Sequence, residues 1–502
     1  MFKKVIALNK DEEISFKFSY LSFDFNYPLK LNNLIVNSIE MKNVNNLAQD
    51  NSFWKNLGIK IPTVLLPSKK VDLSKWAVVA CDQFTSEPDF WHDLKAKIGN
   101  APSTLNLIYP EVFLEENEAA KQARLKNIAS VMKTYLDEGI LEAQPQGFVY
   151  LERTLPNGTK RQGLMLSIDL EKYDYQKGSQ PLIRPTEGTV LDRIPPRLRI
   201  REKALVEAPH VMLLFDDPQN EIFNLLKQQL SDHDKVYDFD LMFDKQHLTG
   251  YRVTNSNSIS SLKEKFANLI NPQKFKEKYQ LQGNLEPLLF AVGDGNHSIA
   301  TAKAHWENIK QGLTETEMRD HPARFALAEI VNLHDESLVF EPIHRVLFNI
   351  NFDNLIESAK AFFKNQNSEV EVKLIDKKSF KKEIDNLRKV NSDQVIGFVK
   401  GNQYGALVIK NPSQKLEVAT LQIFLDAYLK NHKEIIVDYI HGDDTLVKLS
   451  SKPNALGLFL PTIEKKSFFK NVITNGIYPR KTFSMGEAEE KRVYLECRKI
   501  IK

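Results

Sequence analysis

The apolar residues of this 502-residue chain arrive in runs of about four to six, such as Trp76–Cys81 and Val211–Phe215, each closed by a polar residue, glycine or proline. A helix that crosses a membrane needs about 20 in succession, so these runs are read as buried strands. Between them lie segments with helical spacing. Residues 115–138 place Ala119, Ala123, Leu125, Ile128, Val131, Met132 and Leu136 near helical spacing with charges between them, as in an amphipathic helix laid over a sheet. Strands are expected at 61–67, 76–81, 211–215, 288–292, 325–332 and 338–340, and helices at 220–229, 299–310 and 355–363. Phe148–Leu151 and Gly163–Ile168 flank Asn157-Gly158, a dipeptide whose residues both tolerate positive φ, so a hairpin is expected there. Val395–Val399 and Gly405–Ile409 form a second hairpin-like pair, set apart by a charged stretch at 370–395. Alternation of this kind describes an α/β (α+β) protein.

At about 150 residues to a domain, the length allows roughly three. Residues 1–55, rich in Asn, Phe and Ser without a helical period, read as an amino-terminal extension of strand and loop. Residues 56–348 read as a core, and 349–502 as a smaller carboxy-terminal α/β unit whose last segment returns to the core site. The opening apolar run stops at Asn9, short of an export signal. Cys81 and Cys497 stand too far apart in sequence for a redox or zinc motif, and a reducing, cytoplasmic setting is expected. With 68 Lys and Arg against 65 Asp and Glu, the net charge is +3. That balance supplies no broad surface for nucleic acid or an anionic membrane, and any anion site must be local.

The most informative segment is Leu288–Ala302, where an apolar strand runs into Gly293-Asp294-Gly295 and then a helix of small residues. Such a turn exposes consecutive backbone N–H groups at a positive helix end, which suits an anion, phosphate above all. Gly293 and Gly295 free the backbone to turn and approach a ligand, and His297 points at it. A strand-to-helix connection capped by Asn296 or Ser298 is the plainer alternative. The string G-x-G-x-x-S stops one residue short of the dinucleotide fingerprint, and Glu315 and Glu317 do not end a second parallel strand, which argues against nicotinamide chemistry. Cationic candidates are Arg193, Arg197 and Arg199 in an Arg-dense loop between 184 and 201, His344-Arg345, and Arg480-Lys481. Ser484 and Glu487 have capping-box spacing. Acid and base candidates are Asp82, Asp294, His297, Glu341 and His344, all beside apolar runs. His441-Gly442-Asp443-Asp444 offers a metal corner or a plain turn.

The stretch GDGNHSIATAKAHW resembles the DGHHR..TA signature of the domain of unknown function 1015 family. KWAVVACDQFTSEPDFW (75–91), RPTEGTVLDRIPPR (184–197), HPARFALAEIVNLHDESLVFEPIHRVLF (321–348) and PRKTFSMGEAEEKRVYLECRKI (479–500) agree with it. The resemblance runs from about residue 58 to the end. It implies a ParB/sulfiredoxin-like fold with a mixed-sheet core. Proteins of that fold hold nucleotide phosphates on a G-x-x-R or G-C-H-R turn, and some are kinases for free serine. Gly295, Asn296, His297 and Ser298 fall on the four turn positions. Asn296 replaces the reactive cysteine of sulfiredoxin, so sulfinic-acid reduction does not carry over. Ser298 replaces the phosphate-gripping Arg, so another cation must compensate.

These observations together imply a nucleotide- or phosphate-binding enzyme, a phosphotransferase acting on a small hydroxylated metabolite. In that reading Gly293, Gly295, Asn296, Ser298, Arg193, Arg345, Arg480 and Lys481 bind a nucleoside triphosphate or diphosphate with Mg²⁺, and His297, Asp294, Asp82 and His344 supply the chemistry. The alternative is a ParB-like nucleotide switch without catalysis, favoured by Ser298. DNA binding is disfavoured, since no basic recognition helix stands out.

Overall fold

The computed structural model describes residues 54–502, apart from 80–83, 85–87, 114–115, 177, 244 and 391–392, together with two short strands near the amino terminus. The rest of the expected extension at 1–55 lies outside the described residues, as does Asp82. By their contacts Met1–Phe53 and Trp54–Lys502 are two units, and in the first Ala7–Leu8 pairs antiparallel with Ile14–Ser15.

Trp54–Lys502 is mixed α/β, built on two large sheets. The first has nine strands: β1 (Ile59–Lys60), β2 (Phe148–Thr154), β3 (Lys160–Asp169), β4 (Ile183–Pro185), β5 (Met212–Phe215), β6 (Lys235–Asp240), β7 (His247–Val253), β8 (Phe290–Asp294) and β9 (Phe325–Asn332). Their order is β6-β7-β2-β3-β9-β5-β8-β4, with β1 on β3. The pairs β5/β9 and β8/β4 are parallel and the others antiparallel, so the sheet is mixed. The second sheet is antiparallel, with β10 (Phe340–Phe348), β11 (Glu369–Ile375), β12 (Gln394–Lys400), β13 (Gln403–Lys410), β14 (Ile436–His441), β15 (Leu456–Phe459) and β16 (Phe483–Met485) in the order β11-β13-β12-β15-β10-β14, and β16 on β10. Its helices include α1 (Glu118–Asp137), α2 (Ile194–Arg201), α3 (Asn296–Lys310), α4 (Glu417–Tyr428) and α5 (Asp443–Ser450).

Several expectations hold. Strand β9 falls where its continuous apolar run put it, and α1 buries Leu125, Ile128, Met132 and Tyr135 on the sheet that carries Val149 and Met165. The hairpin β2–β3 forms, but only Gly158 takes positive φ (82°). Asn157 instead accepts the Thr159 N–H, and Leu155 N–H donates to Thr159 O across a three-residue loop, the form in which a single left-handed glycine suffices.

Other expectations are corrected. Leu73–Trp76 is a helical turn capped by Asp72, and Val78 bridges Tyr494, while residues 80–81 lie outside the described residues. Of the strand expected at 338–340 only Phe340 is paired, as the first residue of the longer β10. The Arg-dense stretch is no loop at its end: Pro195 and Pro196 open α2, since fixed φ suits a first helical turn. The charged stretch at 370–395 folds as β11 and the helix Phe380–Val390, which bury Val370, Ile375, Phe380 and Ile384.

The carboxy-terminal residues 478–498 thread between these elements. Tyr478 N–H donates to Thr186 O, β16 pairs with β10, Tyr494 exchanges backbone hydrogen bonds with Val78, and Cys497 does so with Leu65. Arg153 holds the carbonyls of Glu489, Glu490 and Lys491. Arg492 is buried between Glu329 (2.8 Å) and Glu496, which also accepts the Tyr237 hydroxyl. These carboxylates lift the guanidinium above its ordinary pKa although burial opposes them. Removing one member of such a group leaves the others charged and unpaired in the interior. Arg492→Met is therefore expected to cost about 3–5 kcal/mol in urea unfolding; a loss below about 1 kcal/mol contradicts the account.

Candidate functional site

Strand β8 ends at Asp294 and α3 begins at Asn296, with Gly295 as its N-cap at φ 82° and ψ 27°. That backbone conformation favours glycine. A Cβ there also stands 3.1 Å from Val211 Cα, because β5 runs antiparallel beside β8 with Met212 opposite Asp294. No side chain caps the helix: the plainer alternative, Asn296 or Ser298 as the cap, is not what forms. The Gly295 N–H donates to Asp294 Oδ1 (2.8 Å) and the Ile299 N–H to Gly295 O, so that the main chain of Asn296, His297 and Ser298 forms the first turn of a 15-residue helix. They face a cavity of about 740 Å³, within the range that takes small ligands and cofactors.

Gly293 has a different reason. A Cβ there meets Met485 Cε at 2.6 Å, so this glycine admits the carboxy-terminal segment against β8. That segment also brings Lys491, whose ammonium lies 3.6 Å from Asp294 Oδ2 and donates to Met485 O. Burial acts to raise the Asp294 carboxyl, but Lys491, His210 and the Gly295 N–H outweigh it and hold it below its usual range. The group is a carboxylate near neutral pH.

Of the residues singled out in the sequence, Gly293, Asp294, Gly295, Asn296, His297 and Ser298 line the cavity, and so do Arg193, Arg197, Arg480 and Lys481 at its rim. His297 Nε2 accepts the Val190 N–H, which ties the loop before α2 to the turn. Arg199 is out on the surface beside Glu118.

His344 and Arg345 do not line the cavity either. His344 turns one ring nitrogen to Asp443 (2.9 Å) and the other to the Leu460 N–H, which joins β10 to α5 and β15. Arg345 is buried and donates to the carbonyls of Ile343, Arg480 and Lys481. It therefore shapes the turn that carries Arg480 and Lys481 and does not reach a ligand. Asp443 also pairs with Lys381, and among the described residues no group of three His, Cys, Asp or Glu is gathered to hold a metal; His441–Asp444 is the junction where β14 ends and α5 begins, with Gly442 as its N-cap. Ser484 is no cap: pairing with Glu341 holds it extended, and Glu487 makes its capping box with Glu490.

Lys491, His210, Tyr494 and Glu187 were not found from the sequence. His210 Nδ1 lies 2.6 Å from the Tyr494 hydroxyl, and its Nε2 is 3.4 Å from Ser298 Oγ. The nearest sequence signal is a histidine directly before an apolar strand, which is too common to single it out. Glu187, which also lines the cavity, has a carboxyl pushed up to about 7 by burial, with Asp294 adding to the rise and Lys481 and Lys491 opposing it. An unfolded glutamate titrates near 4.3, so between about 4.5 and 7 the folded chain holds a proton that the unfolded chain has lost. Stability from this group is complete below about 4.5 and declines as pH rises through about 7. Glu187→Gln is expected to flatten that part of the pH profile in melts between pH 5 and 8; an unchanged slope assigns it to another group.

A family model described as "Protein of unknown function (DUF1015)" matches residues 65–428. No curated protein matches the chain. Among solved structures, a free serine kinase in complex with AMP aligns at 11% identity over 67% of this chain and 92% of its own, with a TM-score of 0.35. A conserved hypothetical protein from Pyrococcus furiosus aligns at 13% identity over 64% and 90%, with a TM-score of 0.32. SbnI with C-terminal truncation from Staphylococcus aureus aligns at 9% over 66% and 85%, also with a TM-score of 0.32. Likenesses of this size carry nothing to this chain by themselves.

Proposed function

We propose, from the premise that the chain belongs to the DUF1015 family, that it is a nucleotide- or phosphate-binding enzyme that transfers phosphate to a small hydroxylated metabolite, on a core of the ParB/sulfiredoxin-like kind. One observation carries the reading: the uncapped amino terminus of α3 opens into a cavity of about 740 Å³ ringed by cations. The Asn296, His297 and Ser298 amides hold the phosphate at the positive helix end. Arg193, Arg480 and Lys481 at the rim and Lys491 at the floor stand in for the arginine absent at Ser298.

Asp294 and Glu187 are the two carboxylates for a divalent cation. Mg²⁺ is commonly held by one or two carboxylates with phosphate oxygens and water, and this donor set fits. When bound, the cation would neutralise phosphate charge. His210, oriented by Tyr494, turns its Nε2 toward the turn, 3.4 Å from the Ser298 hydroxyl, and acts as the base that accepts the acceptor's proton. His297 serves by fixing the loop at Val190.

Calorimetric titration with ATP, ADP and CTP, with and without Mg²⁺, tests the reading. Wild type is expected to bind at least one of them. Gly295→Val should weaken that binding by about tenfold or more, since valine is strained at φ 82° and meets Val211. Absence of binding to wild type contradicts the proposal. Nucleotide bound without metabolite-dependent phosphate transfer, across a panel of small alcohols and hydroxy amino acids, favours the non-catalytic switch.

A further inference from the structure

The cavity has a second wall, built by the other sheet. Tyr439 on β14 pairs in register with Arg345 on β10, so the two side chains share one face. The Arg345 guanidinium lies 4.7 Å from the Tyr439 ring centroid, while Tyr439 itself keeps 36% of its surface exposed and lines the same cavity as the α3 turn. Exposed tyrosines are ordinary; this one is held. Arg345 is fully buried and anchored by three backbone carbonyls, two of them in the turn of Arg480 and Lys481. The buried cation therefore fixes an aromatic ring and two rim cations with one set of contacts. A planar, π-rich group laid against the ring would complete a stack of guanidinium, phenol and ligand.

We propose that Tyr439 is the stacking platform for a nucleobase, so that the occupant of the cavity is a nucleotide with its base on the second sheet and its phosphates on the α3 amides. This inference rests on the anion-binding reading above and adds the chemical class of the ligand's other end. A free phosphate or polyphosphate has no ring to lay against the phenol and would gain nothing from it. Stacking is tolerant of base identity, since every base presents a π-face, so purine and pyrimidine nucleotides are expected to differ only modestly.

The experiment compares ADP with tripolyphosphate, a probe that carries the charge without the base, on wild type, Tyr439→Leu and Tyr439→Phe, by calorimetry at fixed salt. Tyr439→Leu is expected to weaken ADP by about tenfold or more, the order that one stacked base contributes, and to leave tripolyphosphate within about twofold. Tyr439→Phe keeps the ring and should bind ADP within about threefold of wild type, while thermal melts establish that both variants fold. The inference is overturned if Tyr439→Leu binds ADP as wild type does, if it loses ADP and tripolyphosphate equally, or if wild type binds tripolyphosphate and not ADP. Should wild type bind neither probe, the anion site itself is refuted and the stacking site falls with it.

Discussion

The buried ion cluster of Arg492, Glu329 and Glu496 holds the rest of the arrangement together. It fixes the carboxy-terminal segment against the first sheet, and that segment supplies Arg480, Lys481, Lys491 and Tyr494 to a turn formed far away in sequence. Charges buried in this way are stable only while every partner is present. Gly163 reflects the same constraint, since a Cβ there would stand 2.3 Å from Glu329 Oε1. The glycine in β3 makes room for the carboxylate that receives Arg492.

From that anchor the site follows by packing. Met485 seats against Gly293, Lys491 reaches Asp294, and Tyr494 orients His210, so the turn before α3, which carries its own carboxylate at Asp294, gains an ammonium and an imidazole from elements that do not neighbour it in the chain. Val211 explains Gly295 sterically, and Arg345 explains why Arg480 and Lys481 stay at the rim. The helix end contributes its amides through backbone geometry alone.

How much of this was legible in the sequence depended on whether the signal was local. Continuous apolar runs gave β5, β8 and β9, and the strand-glycine-helix string gave the turn, because strand burial and left-handed glycine are properties of a few neighbouring residues. In the carboxy-terminal segment Arg480 and Lys481 stood out, but the charges after them did not. Glu487, Glu489, Glu490, Lys491, Arg492, Glu496 and Arg498 look like a solvated surface in one dimension, and only the fold shows Arg492, Glu496 and Arg498 paired inside. Arg345 and His344 were misplaced for the same reason: a charged residue beside an apolar run invites a ligand, whereas here backbone carbonyls and Asp443 satisfy them. The helix Phe380–Val390 was hidden by lysines on its outer face.

The central claim is that the main chain at Asn296, His297 and Ser298 receives an anionic group. Diffraction from crystals grown with ADP tests it most directly. The account predicts a phosphate oxygen at hydrogen-bonding distance, about 2.7–3.2 Å, from the His297 or Ser298 nitrogen, with Lys491 or Arg480 closing on the same group. A well-ordered nucleotide bound elsewhere, with that helix end covered by side chains, would contradict it.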